Sequence, residues 1–259
     1  MTHWLRFKYN NQLGFGTLEN ETISVYEGDM FDNPTSTNQS HNIGDVQVMT
    51  PCAPTKMLAL WNNFHATAEK NNLPMPDHPW YFVKTANSFA PAGATIKKPA
   101  ICSGKILFEG ELGIVIGKTC KDIGVTKIDD YIFGYTCIND VTALEYLFNE
   151  EAFAHWIRAK NFDGFGIFGP TITTDIEPDS LTIKTFLKGD NVQERQNYPV
   201  SDMIFSPREI ASKISHDMTL ETGDVIACGT SLGAGALKDG WDVEVSIEGV
   251  GSLINPYRD

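Results

Sequence analysis

A chain of 259 residues with 42% hydrophobic and 20% charged residues can bury one large core, or one domain with a small appendage, and its composition is neither disordered nor fibrous. Twenty Lys and Arg stand against thirty-three Asp and Glu, a formal net charge of −13, which repels phosphate backbones and anionic lipid surfaces and argues against nucleic-acid and membrane roles. The opening Met1 to Arg6 has no apolar export run, and the five cysteines are widely spaced with no CxxC pair, so the expectation is a cytoplasmic chain with reduced, buried thiols and no structural zinc.

Residues 1–50 read as a small β-rich region. Trp4 to Tyr9, Gly14 to Leu18 and Thr22 to Tyr26 are strand-like and separated by turn signals such as Asn10-Asn11, which suits a small antiparallel flap. Residues 33–43 are polar and turn-rich and read as a linker to a body spanning 51–259. In the body, strands are expected at Lys56 to Trp61, Tyr81 to Lys84, Ile106 to Ile116, Tyr131 to Ile138, Leu181 to Leu187, Asp224 to Cys228 and Asp242 to Ile247. Helices are fewer and shorter: Phe64 to Asn71, Ala143 to Asn149, and Pro207 to Ser215 with Ser206 and Glu209 as a capping box. The pattern is α+β and β-dominated. Its strands do not alternate regularly with long helices, which argues against a doubly wound sheet or a TIM barrel.

The segment Phe108-Glu-Gly-Glu-Leu-Gly-Ile-Val-Ile-Gly117 carries the first chemical signal. As a strand it places Glu109 and Glu111 on one face, about 7 Å apart, where like charges are unfavourable unless an opposite charge lies between them. A hard divalent cation supplies that charge; a solvated strand face is the alternative, and the adjacent glycines are read as open space beside the carboxylates. Asp140 closes the strand before a helix for which Thr142 and Glu145 have capping-box spacing, which leaves Asp140 either as a third ligand or as a turn carboxylate. Three carboxylates fill half an octahedron around Mg²⁺ or Mn²⁺, leaving room for water or a chelating oxo-acid.

The E-x-E segment, Asn139-Asp-Val-Thr142, Arg158-Ala-Lys-Asn-Phe-Asp-Gly164 leading to Phe168-Gly-Pro170, Tyr198-Pro-Val-Ser-Asp-Met-Ile-Phe205 and Gly223-Asp-Val-Ile-Ala-Cys-Gly-Thr230 together resemble the fumarylacetoacetate hydrolase family, from about Leu58 to Pro256. The resemblance implies a mixed β-sandwich roll of the C-terminal-domain type and a homodimer. It also implies Mg²⁺ or Mn²⁺ held by Glu109, Glu111 and Asp140, and a small-molecule 2-oxo acid as substrate. By the same resemblance Lys160 is the active-site lysine, and Lys84, Arg158 and Thr230 bind substrate. His65 and Glu69, four residues apart, form a candidate acid/base pair, although the family's hydrolytic spacing, Asn-Tyr-x-x-His-x-x-Glu, is not reproduced: it would need Glu at Ala68 or His at Ala66.

The expectation is an enzyme whose 2-oxo acid, diketo or unsaturated, chelates the cation through its keto and carboxylate oxygens and passes through a stabilised enolate. It is most similar to the isomerase and decarboxylase branch that serves aromatic-acid catabolism. C–C hydrolysis of an acylpyruvate or fumarylacetoacetate-type substrate and oxaloacetate decarboxylation are the alternatives, with a catalytically idle oxo-acid binding protein as a rival of another class. The glycine-rich run from Cys228 to Gly235 lacks the Gly-Lys-Ser/Thr ending of a phosphate loop. The spacing Gly164 to Gly169 leads into Pro170 rather than a helix, which removes a dinucleotide-binding reading.

Overall fold

In a computed structural model, which describes residues 1–150 and 152–259, strands dominate. In chain order they are β1 (Thr2–Tyr9), β2 (Gln12–Glu19), β3 (Thr22–Asp29), β4 (Asp32–Asn42), β5 (Gln47–Val48), β6 (Met57–Trp61), β7 (Trp80–Lys84), β8 (Phe89–Ala90), β9 (Ile96–Lys97), β10 (Ile106–Phe108), β11 (Gly110–Ile116), β12 (Ile132–Asp140), β13 (Thr142–Ala143), β14 (Gly166–Thr174), β15 (Thr182–Lys188), β16 (Val192–Pro199), β17 (Val225–Ala227), β18 (Gly235–Ala236), β19 (Asp242–Ile247) and β20 (Gly251–Arg258). Among the described residues four short α-helices interrupt them: α1 (His65–Lys70), α2 (Leu144–Leu147), α3 (Trp156–Lys160) and α4 (Pro207–Asp217). None is long and apolar enough to cross a membrane.

Three sheets form the body. The largest runs β4-β3-β2-β1-β14-β12-β11-β17-β6-β7, with β5 on β1 and β8 on β14; a second runs β16-β15-β19-β20-β9, and a third β13-β10-β18. Pairing is mostly antiparallel, with parallel exceptions at β17 with β6, β8 with β14 and β9 with β20. The β11 sequence is apolar at every position from Ile114 to Ile116 because both faces are covered. Leu112, Ile114 and Ile116 join a core with Ile183, Val243, Val245 and Leu253 of the facing sheet, while Val115 packs with Met57, Ile138, Phe168 and Val225 on the other side. A strand buried twice reads as a continuous hydrophobic run rather than an alternating one.

The N-terminal strands do not stand apart from this body: Thr2, His3 and Trp4 pair with Thr174, Thr173 and Ile172, so β1 to β4 prolong the large sheet. The expected linker at 33–43 is instead mostly strand. β4 pairs with β3 from Thr22↔Asn42 to Asp29↔Asp32, through two register shifts. Asn33 and Asn38 take positive φ (50° and 61°), which Asn tolerates better than other side chains, and these irregularities give the segment its turn-like composition. The capping box of α4 forms as the sequence predicts: Ser206 accepts from the Glu209 backbone N–H, the Glu209 carboxylate accepts from the Ser206 backbone N–H, and Pro207 sits at the first turn.

Candidate active site

Glu109 and Glu111 do not lie on one strand. β10 ends at Phe108 and belongs to the three-stranded sheet, β11 begins at Gly110 in the large sheet, and Glu109 sits at the switch between them. Gly110 faces packed side chains, not open space: a Cβ there would collide with the Thr185 hydroxyl and crowd the Gln196 amide oxygen. Its N–H donates to Gln196 Oε1 at 3.0 Å, and its carbonyl accepts from the Tyr198 and Thr230 hydroxyls, the latter at 3.0 Å. The glycine is required so that the chain can turn between sheets against these groups, and that turn sets the directions of the two flanking carboxylates.

Asp140 arrives from the end of β12. Its backbone N–H donates to the Glu109 carbonyl (2.9 Å), and Asn139 Oδ1 accepts from the Glu109 N–H (3.1 Å), so the two segments are stitched side by side. Oxygens of Glu109, Glu111 and Asp140 all lie within 4.8 Å of one another. The Thr142 hydroxyl donates to Glu109 Oε1 (2.7 Å) and Glu145 takes both of its contacts from Ser103, so the expected Thr142–Glu145 capping box does not form.

Two lysines close the cluster. Lys160, at the end of α3, donates to Glu109 Oε2 (2.7 Å) and Asp140 Oδ2 (2.6 Å); Lys84, at the end of β7, donates to Asp140 Oδ1 (2.5 Å) and the Lys160 carbonyl (2.6 Å). Both ammoniums are essentially inaccessible to water. Burial alone would push Lys160 down, but the Asp140 and Glu109 carboxylates outweigh it and hold its pKa above the ordinary lysine range. Burial likewise opposes ionisation of Asp140, and the Lys160 and Lys84 charges overcome it, so this carboxyl stays below its usual value.

Glu111 is the exception. Burial first, then the charges of Asp140 and Glu109, drive its pKa well up, against only the Lys160 charge and the Gly229 N–H that donates to Oε2 (2.8 Å). Its Oε1 is buried with no hydrogen-bond partner among the described residues, and so is Nδ2 of neighbouring Asn139. A buried carboxylate oxygen left unpaired is costly, and native proteins ordinarily avoid one. The donors present are all hard oxygens, one of them is free, and all three carboxylates bring an oxygen within 4.8 Å of the others, as a shared hard cation requires. The residues therefore fit a hard divalent cation.

The other candidates are distributed differently. Thr230 lies at the cluster's edge, but its hydroxyl is engaged, donating to the Gly110 carbonyl and accepting from Gln196 Nε2 (2.8 Å). Lys84 is fully buried behind Asp140, in a supporting position. Arg158, expected to bind substrate, is exposed on α3 with its guanidinium 4.1 Å from the centre of the Tyr146 ring. His65 and Glu69 are exposed on α1 and share no hydrogen bond. That helix is fixed beside the cluster at its buried side: Asn63 Nδ2 donates to the Cys228 carbonyl (2.9 Å), and Thr67 reaches Ser231 (3.5 Å), bracketing the Gly229 that supports Glu111. Gln196, which ties Gly110 to Thr185, Thr230 and Ser231, was not visible as a site residue, because β16 carries a polar sequence with no strand signal; its buried amide in an alternate-face position is the one clue.

Comparison with known proteins agrees with this architecture. Residues 56–258 match the family model for the fumarylacetoacetate (FAA) hydrolase C-terminal region, and residues 2–51 match one described as Rv2993c-like, N-terminal. An uncharacterised protein of Archaeoglobus fulgidus is 40% identical over 210 residues, 81% of this chain and 81% of its own. The oxaloacetate tautomerase of Bacillus subtilis is 31% identical over 229 residues, 83% of this chain and 74% of its own. Among solved structures, the 2-hydroxyhepta-2,4-diene-1,7-dioate isomerase of Mycobacterium marinum superposes with a TM-score of 0.89 at 32% identity, covering 100% of this chain and 98% of that one.

Proposed function

Because the chain belongs to the fumarylacetoacetate hydrolase family, we propose that it is a divalent-cation-dependent enzyme that moves a proton within a 2-oxo carboxylic acid, as an isomerase or tautomerase. The observation that carries this reading is the trio Glu109, Glu111 and Asp140, whose oxygens converge within 4.8 Å and leave Glu111 Oε1 buried and unpaired. Proton transfer is favoured over cleavage because the hydrolytic His and Glu spacing is missing, and a tautomerase and an isomerase stand among the relatives above 30% identity beside putative hydrolases.

Glu109, Glu111 and Asp140 would hold Mg²⁺ or Mn²⁺, which acts as a Lewis acid toward the 2-oxo group and its carboxylate. Lys160, charged and held by two of those carboxylates, presents a fixed positive charge to the developing enolate oxygen in a site that water barely reaches, where such a charge is worth far more than in solution. Lys84 keeps Asp140 ionised and aimed. The Gly229 N–H positions Glu111, and Thr230, whose hydroxyl donates to the Gly110 carbonyl, would border the substrate carboxylate. His65, with Glu69 one helical turn on, would take the proton from the carbon next to the keto group and deliver it to the enolate oxygen, or to the far carbon of a conjugated enolate, a role supported by the anchoring of α1 to the loop that touches Glu111. Residues 1–50, read as a unit beside the catalytic region 51–259, buttress the large sheet through β1 and β14.

The test is a panel of oxaloacetate, an unsaturated 2-oxo diacid, an arylpyruvate and an acylpyruvate with Mg²⁺ or Mn²⁺, following enol absorbance, pyruvate and CO₂. Loss or gain of enol without pyruvate or CO₂, abolished by a strong chelator, is expected. Turnover that survives the chelator, or release of pyruvate as the main product, refutes the assignment.

A further inference from the structure

The two elements that deliver the lysines also build an aromatic wall that the proton-transfer chemistry does not use. On β7, Trp80, Phe82 and Lys84 are alternate residues and share one face. On α3, Trp156 and Lys160 are one turn apart. Trp80 pairs directly with Trp61 across β6 and β7, with rings stacked at 5.5 Å and 16°. Phe82 stacks on Trp156 at 5.1 Å and 20°, Trp156 meets Trp61 at 5.6 Å, and the edge of Phe148 closes on Trp156 at 6.1 Å. Together with Tyr81 and Ala154 these side chains line a cavity of about 380 Å³. The wall is continuous with the acidic cluster: the Lys160 ammonium lies 5.3 Å from the centre of the Phe82 ring.

We propose that this cavity is the specificity pocket for the far end of the substrate, and that it selects 2-oxo acids bearing an uncharged aromatic or similarly flat apolar group. The inference rests on the oxo-acid reading of the carboxylate site. The pocket's volume exceeds the ~150 Å³ that holds a benzene ring in an engineered apolar cavity, leaving space for a ring and its linking carbon. None of the described lining residues carries a charge, so a distal carboxylate placed here would lose its hydration without a partner, whereas a ring would meet a lining of six aromatic side chains. The wall also runs from Trp80 and Phe148, both open to solvent, inward to Phe82 beside Lys160, which gives the ligand a route in.

Phenylpyruvate and pyruvate, titrated calorimetrically into the full chain with saturating Mn²⁺, separate the ring's contribution from that of the oxo-acid. Quenching of tryptophan fluorescence reports on the pocket itself, since it contains three of the chain's five tryptophans. Phenylpyruvate should bind about tenfold or more tightly than pyruvate and quench where pyruvate does not. Phe148→Ala, at an exposed rim position, and Trp80→Leu, which keeps apolar bulk for folding, should each cut that advantage to about threefold or less. Equal affinity of the native chain for the two acids, or an advantage that both variants retain, overturns the proposal. So does a change of oligomeric state in the variants with the advantage intact, which assigns the patch to a second copy of the chain. Manganese-dependent pyruvate binding without a gain from the ring refutes the pocket alone; failure of both acids to bind refutes the pocket and the oxo-acid reading together.

Discussion

Replacing Lys160 by Met removes the ammonium that bridges Glu109 and Asp140 while keeping a similar buried volume. Two charge-assisted hydrogen bonds of 2.7 and 2.6 Å disappear, Asp140 keeps Lys84, and Glu109 keeps only the Thr142 hydroxyl. Breaking a buried pair by deleting one partner costs about 3–5 kcal/mol. Glu109 is 18% exposed and partly solvated, which points to the lower end, about 3 kcal/mol. At about 2–4 °C per kcal/mol for a chain of this size, the metal-free variant should melt roughly 6–12 °C below the native chain. A divalent cation would replace much of the lost positive charge, so the gap should close substantially in saturating Mn²⁺ although catalysis stays impaired. Thermal unfolding by circular dichroism in EDTA and in MnCl₂ measures both quantities. A variant as stable as the native chain in EDTA, or a deficit that Mn²⁺ leaves untouched, would show that the three carboxylates and the lysine do not form one electrostatic unit.

Other consequences follow from the same framework. Gly110→Ala drives a methyl group into the Thr185 hydroxyl and should cost about 3 kcal/mol in urea unfolding together with a fall in Mn²⁺ affinity; a change within about 0.5 kcal/mol would mean the sheet switch is not tightly packed. All five cysteines are buried, and burial pushes Cys52 and Cys137 up to about 12, so iodoacetamide at about pH 8 should label none in the native chain and five in urea, as read by mass spectrometry. On the surface, Arg208 donates to Glu177 at 2.8 and 3.0 Å and holds that carboxyl below the usual range. A depressed carboxyl pKa contributes stability above the unfolded value near 4.3 and loses it as pH falls through the folded one, so Arg208→Ala should lower stability by no more than about 1 kcal/mol at pH 6 and by less at pH 3. A deficit that grows on acidification would reverse the sign of that linkage.

The sequence is most informative where a residue's neighbours in space are also its neighbours in pattern. β6, β7, β12, β15 and β19 announce themselves by apolar runs, because one or both faces meet a core, and α4 by its capping box. β4 and β16 were silent for the opposite reason. A strand exposed along most of its length needs no hydrophobic residues, so residues 33–43 read as a linker and Val192–Pro199 gave no strand signal. β14 hides behind Gly169 and Pro170 in its middle. At the site, the E-x-E spacing brought two carboxylates to notice, but the physical reason for their meeting differs from the one read. Alternation along one strand does not unite them; the switch between sheets at Glu109 does, and such a switch leaves no periodic trace. The glycine at 110 is legible only once Thr185 and Gln196, more than seventy residues away, are seen to fill the space beside it. Resemblance to the family supplied Lys160, whose contacts with Glu109 and Asp140 no local pattern around Trp156 to Lys160 discloses.

Anomalous diffraction at the manganese edge from a crystal soaked in MnCl₂ bears most directly on the central claim. One strong peak within bonding distance of an oxygen from each of Glu109, Glu111 and Asp140 is expected, and it should disappear in Glu111→Gln. A peak elsewhere, or a native site in which Lys160 still bridges Glu109 and Asp140 and no manganese is found among the three carboxylates, would contradict it.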